Sequence, residues 1–404
     1  MIQSKFYSYF NYLFIALVLL WAPLQGTVLT IDGKGRILLF CTIMSFIVNV
    51  NRGVFRNLLF SKPIIIWLIW CIYVALNTYF QGYEHPRTTF PYFVVIQIFC
   101  PCMIMAVSAY EYLKDAGKFL KVALCVFIIY SLVGTFVMDI AYVAEKSTTS
   151  NINSLGNALA LNVMMIIFFA GVRYCRKEVT LKMTTVLILF TIIVVVISAT
   201  RKALGASVIM IIALILSQFK LTLKSVVKVI LPVVVLYYGF TFVMDNTHIG
   251  ERFIEMEEVT EKFDKQYNIG NNIFLKAMGD RAPQYILGAQ LFTKHPITGV
   301  GLTNFPKEAQ YPFYLHTEYM VQICECGIIG CILFLLFYTF IICRLLKIYK
   351  YKHSNKQLII MMLGTICAFL FIYLTAWSYS MSFYFVVLGS IIGFIYSSSF
   401  IKKN

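Results

Sequence analysis

Twelve apolar runs, each near the length a helix needs to cross a bilayer, constrain this chain more than any other feature. They fall at residues 7–24, 37–50, 63–80, 91–109, 120–139, 155–172, 183–199, 203–218, 226–244, 319–342, 358–375 and 379–400. A hydrocarbon core about 30 Å thick takes roughly 20 helical residues, or somewhat fewer when polar ends reach for the interface. Hydrophobic residues make up 60% and charged ones 13%, with a mean hydropathy of +0.80; no water-soluble core could hide so much apolar surface. The sequence therefore predicts an all-α, polytopic membrane bundle of about 12 transmembrane helices, a single integral membrane domain over residues 1–404. The run at 37–50 is short and reads as a tilted or partly re-entrant helix. The first run has no small-residue cleavage site after Leu24 and reads as a retained helix, not a signal peptide.

Lysine and arginine placement predicts the orientation. With a cytoplasmic N-terminus, the inner loops hold Arg52, Arg56 and Lys62; Lys114, Lys118 and Lys121; Arg173, Arg176, Lys177 and Lys182; Lys220, Lys224 and Lys228; and Arg344, Lys347, Lys350, Lys352 and Lys356. The short outer loops carry only Lys34, Arg36, Arg87, Lys146, Arg201 and Lys202. Both termini are then cytoplasmic. The net charge of +16 reads as topology and contact with anionic membrane lipids, not as nucleic-acid binding.

One connection departs from the short loops around it. Residues 245–315, between the ninth and tenth spans, form a long loop of mixed charge on the outer side, and long loops of this kind are usually functional. Glu251–Asp264 has the periodicity of an amphipathic surface helix, Asn268–Asn272 reads as a turn, and Pro283–Phe292 as a second short helix. The segment is expected to act as a lid or platform on the bundle. The eleven cysteines lie almost entirely within spans, none in this loop, so neither a disulfide framework nor a zinc spacing follows.

The chain has no glycine-rich phosphate loop and no dinucleotide fingerprint, which argues against a soluble nucleotide donor, and no cofactor is implied. The first outer loop, Thr27–Arg36, has one acidic residue, Asp32, and no carboxylate pair to hold a divalent ion. No metal site is expected, and a phosphorylated substrate must be neutralised by the protein's own cations. Arg201, with Lys202 beside it, stands in a tight outer turn where adjacent cations are disfavoured; Arg281 precedes His295 in the long loop. A guanidinium suits two-point contact with phosphate oxygens. The plain alternative is that these arginines snorkel or pair with acids such as Glu255 or Asp280.

His316 sits where the long loop re-enters the membrane. A histidine there either caps the helix or, as a neutral imidazole, accepts the proton of an attacking hydroxyl. Glu318, Gln322 and Glu325 recur at helical spacing and share one face of the tenth span, which makes them either an interhelical network or a substrate-facing polar strip. Gly299, Gly301 and Asn304 read as a backbone turn beside the site. Gly327 and Gly330 read as close-packing positions, and Asn151–Asn157 as a weak candidate for sugar contact.

These elements form a pattern. His295-Pro296 leads into Gly299-Val300-Gly301, and His316-Thr317 is followed at a fixed distance by Gly327 and Gly330. The pattern resembles the O-antigen ligase and polymerase family, chiefly between Ile197 and Gly330. The resemblance implies a metal-independent, inverting membrane glycosyltransferase of helical class C. It would take its glycan from an undecaprenyl diphosphate donor on the periplasmic side of the bacterial inner membrane. It implies that Arg201, Arg281 and His316 are catalytic, with Lys202, Glu318, Gln322, Glu325, Asn304, Gly299 and Gly301 around the substrate. The acceptor would be another carrier-linked repeat in a polymerase, with a chain-length regulator as partner, or lipid A-core or another glycan in a ligase. Thr317, where the family often has asparagine or serine, and the added Lys202 are the departures. A transporter or flippase of lipid-linked sugars is the alternative of a different class; against it, the sequence has no clear inverted repeat.

Overall fold

The computed structural model describes residues 9–17, 31–83, 89–94, 99–145, 159–198, 200–218, 275, 278, 281–351, 355–376 and 382–400. Among these residues every regular element is a helix. The main ones are α1 (Ile31–Asn49), α2 (Gly53–Leu59), α3 (Lys62–Gln81), α4 (Cys100–Lys114), α5 (Ala116–Glu145), α6 (Met165–Cys175), α7 (Leu181–Ile197), α8 (Arg201–Ser217), α9 (Ala282–Lys294), α10 (Gly327–Tyr351), α11 (Lys356–Ile372) and α12 (Ser382–Phe400).

Three helical stretches, Lys62–Gln81, Ala116–Thr135 and Gly327–Tyr351, are long and apolar enough to cross a membrane, and six shorter apolar helices accompany them. Nine of the twelve anticipated runs thus have a described apolar helix of comparable position, and the run at 91–109 is met in part by α4, which is less apolar. Of the other two, 7–24 is described only in part, as a helix over 9–17, and 226–244 lies outside the described residues. Two boundaries differ from expectation. The first outer loop is already helical from Ile31, which puts Asp32, Lys34 and Arg36 in α1. The tenth span starts at Gly327, because the chain before it is wound differently. The short helix anticipated at Pro283–Phe292 is α9, whereas Glu251–Asp264, Asn268–Asn272 and Asn151–Asn157 lie outside the described residues.

Small residues let two helix pairs approach closely, the usual solution where lipid removes the hydrophobic drive between helices. On α12, a Cβ at Gly389 would lie 2.6 Å from the Met105 carbonyl oxygen of α4, and one at Gly393 would lie 2.9 Å from that of Ala109, so the two helices run parallel. Helices α8 and α11 run antiparallel, with Gly205 against the Phe371 ring and Gly364 against Ala213. Outward faces carry apolar stripes at helical spacing, such as Leu181, Val186, Leu189, Ile193 and Ile197 of α7. A contiguous stripe of this kind is tolerable in lipid and a liability in water.

The helix ends sort by charge. At one end Arg52 donates to the Tyr110 hydroxyl (2.6 Å), and Lys118 stands over the rings of Tyr9 and Tyr12. Arg173 and Arg176 share Glu178 at 3.3 and 2.6 Å, and Glu178 lies beside Gly117 at the start of α5. The ends of α6, α8 and α11 join this face through Cys175, Ser217, Gln218 and Gln357. The opposite end holds the start of α8, the end of α3, α9 and the segment leading into α10.

Candidate functional site

The chain reverses twice at that second end, and glycines make the reversals possible. In the segment after α9, Val300 N–H donates to the Cys324 carbonyl (3.1 Å), Gly301 N–H to that of Glu325 (2.9 Å), and Ile328 N–H to that of Pro296 (2.9 Å). The acceptors are available because Val321–Glu325 is a π turn that breaks the helix before Gly327, with Cys326 N–H reaching back five residues to Val321 (3.1 Å). Gly299, Gly301 and Gly327 have φ of +70°, +86° and +65°, a region costly for residues with a Cβ. A Cβ at Gly299 would lie 2.5 Å from the Glu325 carbonyl, and one at Gly327 would press into that of Ile297. The end of α3 closes the arrangement. Asn77 donates to the Thr298 carbonyl (2.8 Å), Tyr73 to that of Cys326 (2.8 Å), and Thr78 Oγ1 accepts from Leu302 N–H (3.0 Å).

A buried polar ladder runs inward from the break. Trp70 Nε1 donates to Gln322 Oε1 (2.9 Å), and Gln322 Nε2 donates to Glu318 Oε1 (2.7 Å). All three side chains are buried, so the pairing offsets a desolvation cost that isolated groups would bear in full. Glu325 ends the π turn, and its carboxylate accepts from Phe305 N–H (3.2 Å).

The residues after α11, Tyr373 to Ala376, form the hub of the site. Glu318 N–H donates to the carbonyls of Tyr373 (2.9 Å) and Ala376 (3.2 Å). Arg281 Nη1 donates to the Thr375 carbonyl, where an arginine complements the negative end of a helix. Tyr285 OH donates to the Leu374 carbonyl (2.8 Å) and meets Thr317 Oγ1 at 3.1 Å; burial raises the pKa of this phenol. One turn beyond Arg281 on α9, Gln284 Oε1 accepts from His316 N–H (2.9 Å). A single short helix therefore sets both Arg281 and the His316 backbone. The cap on the helical turn Glu318–Met320 is Thr317, whose Oγ1 accepts from Met320 N–H (3.5 Å). His316 precedes the cap with its side chain exposed.

Arg281 and Glu318 thus meet residues 373–376 directly, whereas His316 is held beside them through Gln284 and Gln322 is tied to Glu318. Arg201 opens α8 as its first helical residue and Lys202 follows, half-buried. The packing of Gly205 on Phe371 puts that helix start at the same end as the hub. Gly299, Gly301, Asn304 and Glu325 lie on the side facing α3, where they hold the loop; the Asn304 amide donates to the carbonyls of Gly82 and Val300. Sequence reasoning missed Trp70, Gln284, Tyr285 and Tyr373. Only Gln284 and Tyr285, polar positions on a short helix beginning at Arg281, offered a signal.

These features fit a helical membrane protein in which polar and cationic residues gather at the end opposite its basic face. Residues 185–335 match the family model described as O-antigen ligase, which supports assigning the chain to that family. The matched stretch contains Arg201, Arg281, the glycine loop, His316 and the π turn. No curated protein matches the chain.

Proposed function

We propose that the protein transfers a glycan from a polyprenyl diphosphate carrier to a hydroxyl acceptor, with inversion and without a metal, at the periplasmic face of the bacterial inner membrane. The observation that supports this reading is that Arg281 and the segment around His316 are held at residues 373–376, away from the basic end and at the same end as the start of α8. Positive-inside asymmetry supports a cytoplasmic basic end and a site on the outside.

In this mechanism Arg201 and Arg281 bind the diphosphate, helped by Lys202 and the positive end of α8. The acceptor oxygen attacks the anomeric carbon and the bond to the diphosphate oxygen breaks. Its electron pair leaves with the diphosphate, and His316 takes the hydroxyl proton. The arginines act most strongly as charge develops on the leaving group, and a diphosphate needs no strong acid to depart. The acceptor is either a second carrier-linked glycan or a lipid-anchored core.

The test is transfer from a purified lipid-linked oligosaccharide by protein in nanodiscs. Arg281→Lys keeps the charge and loses the two-point grip. Its rate should fall at least about tenfold, or about 1.4 kcal/mol of transition-state binding. Full turnover by Arg281→Lys would remove Arg281 from the site.

A further inference from the structure

Between the glycine loop and His316 the chain carries an aromatic ladder that the transfer mechanism does not use. Phe305 is fully buried, and its N–H is fixed by the Glu325 carboxylate (3.2 Å). The Tyr311 ring meets it edge-on, with centroids 6.1 Å apart at 68°. Phe313 meets Tyr311 in the same manner, at 5.8 Å and 69°, and is 58% exposed. An exposed ring braced by a half-buried one, itself braced by a buried one, has little rotamer freedom left to lose when a ligand covers it. Pro312 between the rings restricts the backbone further.

The location indicates what covers Phe313. Three residues of chain reach at most about 10 Å, so the ring lies within the length of a short oligosaccharide of His316. Lys307, Glu308 and Gln310 on the approach are exposed and polar, a setting that suits a ligand with both hydroxyls and an apolar face. Pyranose rings are such ligands, presenting one face of C–H groups to an aromatic ring while their hydroxyls stay hydrated. The strongly exposed Tyr79 and Phe80, by contrast, end the membrane-crossing helix α3, where interfacial aromatics anchor to lipid.

We propose that Phe313, braced by Tyr311, is a stacking platform for a sugar ring of the glycan and so a specificity-determining position, a proposal that rests on the glycan-transfer reading. The experiment measures binding without transfer. Radiolabelled oligosaccharide, released by mild acid from the surface polysaccharide of the source cells, is equilibrated with wild-type, Phe313→Ala, Phe313→Leu and Phe313→Trp protein in nanodiscs. Binding should weaken about tenfold in Phe313→Ala and Phe313→Leu and persist in Phe313→Trp.

Equal binding by all four proteins, or no binding by wild type, overturns the platform. Wild-type behaviour in Phe313→Leu with loss only in Phe313→Ala also overturns it, since that pattern marks an apolar lipid anchor. Phe313-dependent binding in a protein that transfers no glycan would uphold the platform and sink the transferase reading.

Discussion

Replacing Gly299 by alanine tests the central architectural inference, that the glycine loop docks on the π turn through its backbone. At φ of +70° an alanine costs about 1–2 kcal/mol in conformation alone. Its Cβ would also lie 2.5 Å from both the carbonyl carbon and oxygen of Glu325, backbone atoms that cannot swing aside. Relief requires the loop to lift, which strains or breaks the bonds from Val300 to Cys324 and from Gly301 to Glu325, worth about 0.5–1.5 kcal/mol each. The sum is about 2–5 kcal/mol, a large share of the stability of a typical protein. Gly53→Ala is the control, because nothing lies within 4 Å of a Cβ there. The assay is thermal unfolding of detergent-purified protein, followed by loss of the monodisperse peak on size exclusion. Gly299→Ala should melt several degrees lower while Gly53→Ala matches wild type. A Gly299→Ala protein as stable as wild type would mean that the loop does not sit on the π turn.

Two further outcomes follow from other parts of the molecule. Gln322→Leu leaves the Trp70 N–H and a Glu318 oxygen without the bonds Gln322 supplies, at about 1–3 kcal/mol for each buried group; the same melting assay should show a loss at least as large as that of Gly299→Ala, and a neutral result would dissolve the ladder. Single cysteines at Lys146, Lys262 and Glu308, in a background without native cysteines, should label from outside intact cells with an impermeant thiol reagent while one at Lys350 stays protected; the reverse pattern would invert the orientation.

Much of the bundle was legible because lipid imposes a simple rule: each crossing needs a sustained apolar run, and a run survives any uncertainty at its ends. The breaks were less legible. Nothing in Val321-Gln322-Ile323-Cys324-Glu325 contradicts a regular helix, yet these residues wind as a π turn whose Cys324 and Glu325 carbonyls accept from the glycine loop, a partner that lies far away in the sequence. The glycines were noticed as a spacing. Their physical role, positive φ at a backbone-to-backbone contact, depends on a partner that the sequence does not name. The hub after α11 was invisible for a related reason, because it binds Arg281, Tyr285 and Glu318 through main-chain carbonyls that every residue possesses.

The division of labour between His316 and Thr317 sharpens the last prediction. A histidine at a helix entrance invites a capping explanation, but here the cap oxygen belongs to Thr317, and His316 is fixed through its backbone N–H by Gln284. Either residue can therefore be changed while the other keeps its role. Thr317→Ala should lose about 1 kcal/mol of local stability and keep measurable transfer. His316→Asn preserves the backbone bond to Gln284 and leaves the cap untouched, so it should fold; it lacks a group able to take up a proton near neutral pH, and transfer should fall by at least about a hundredfold. Donor binding should survive in both variants, because the arginines hold the diphosphate. A folded His316→Asn protein that transfers glycan at the wild-type rate would show that the imidazole takes no proton in the reaction, and Glu318, the next acid along the chain, would then be the residue to test.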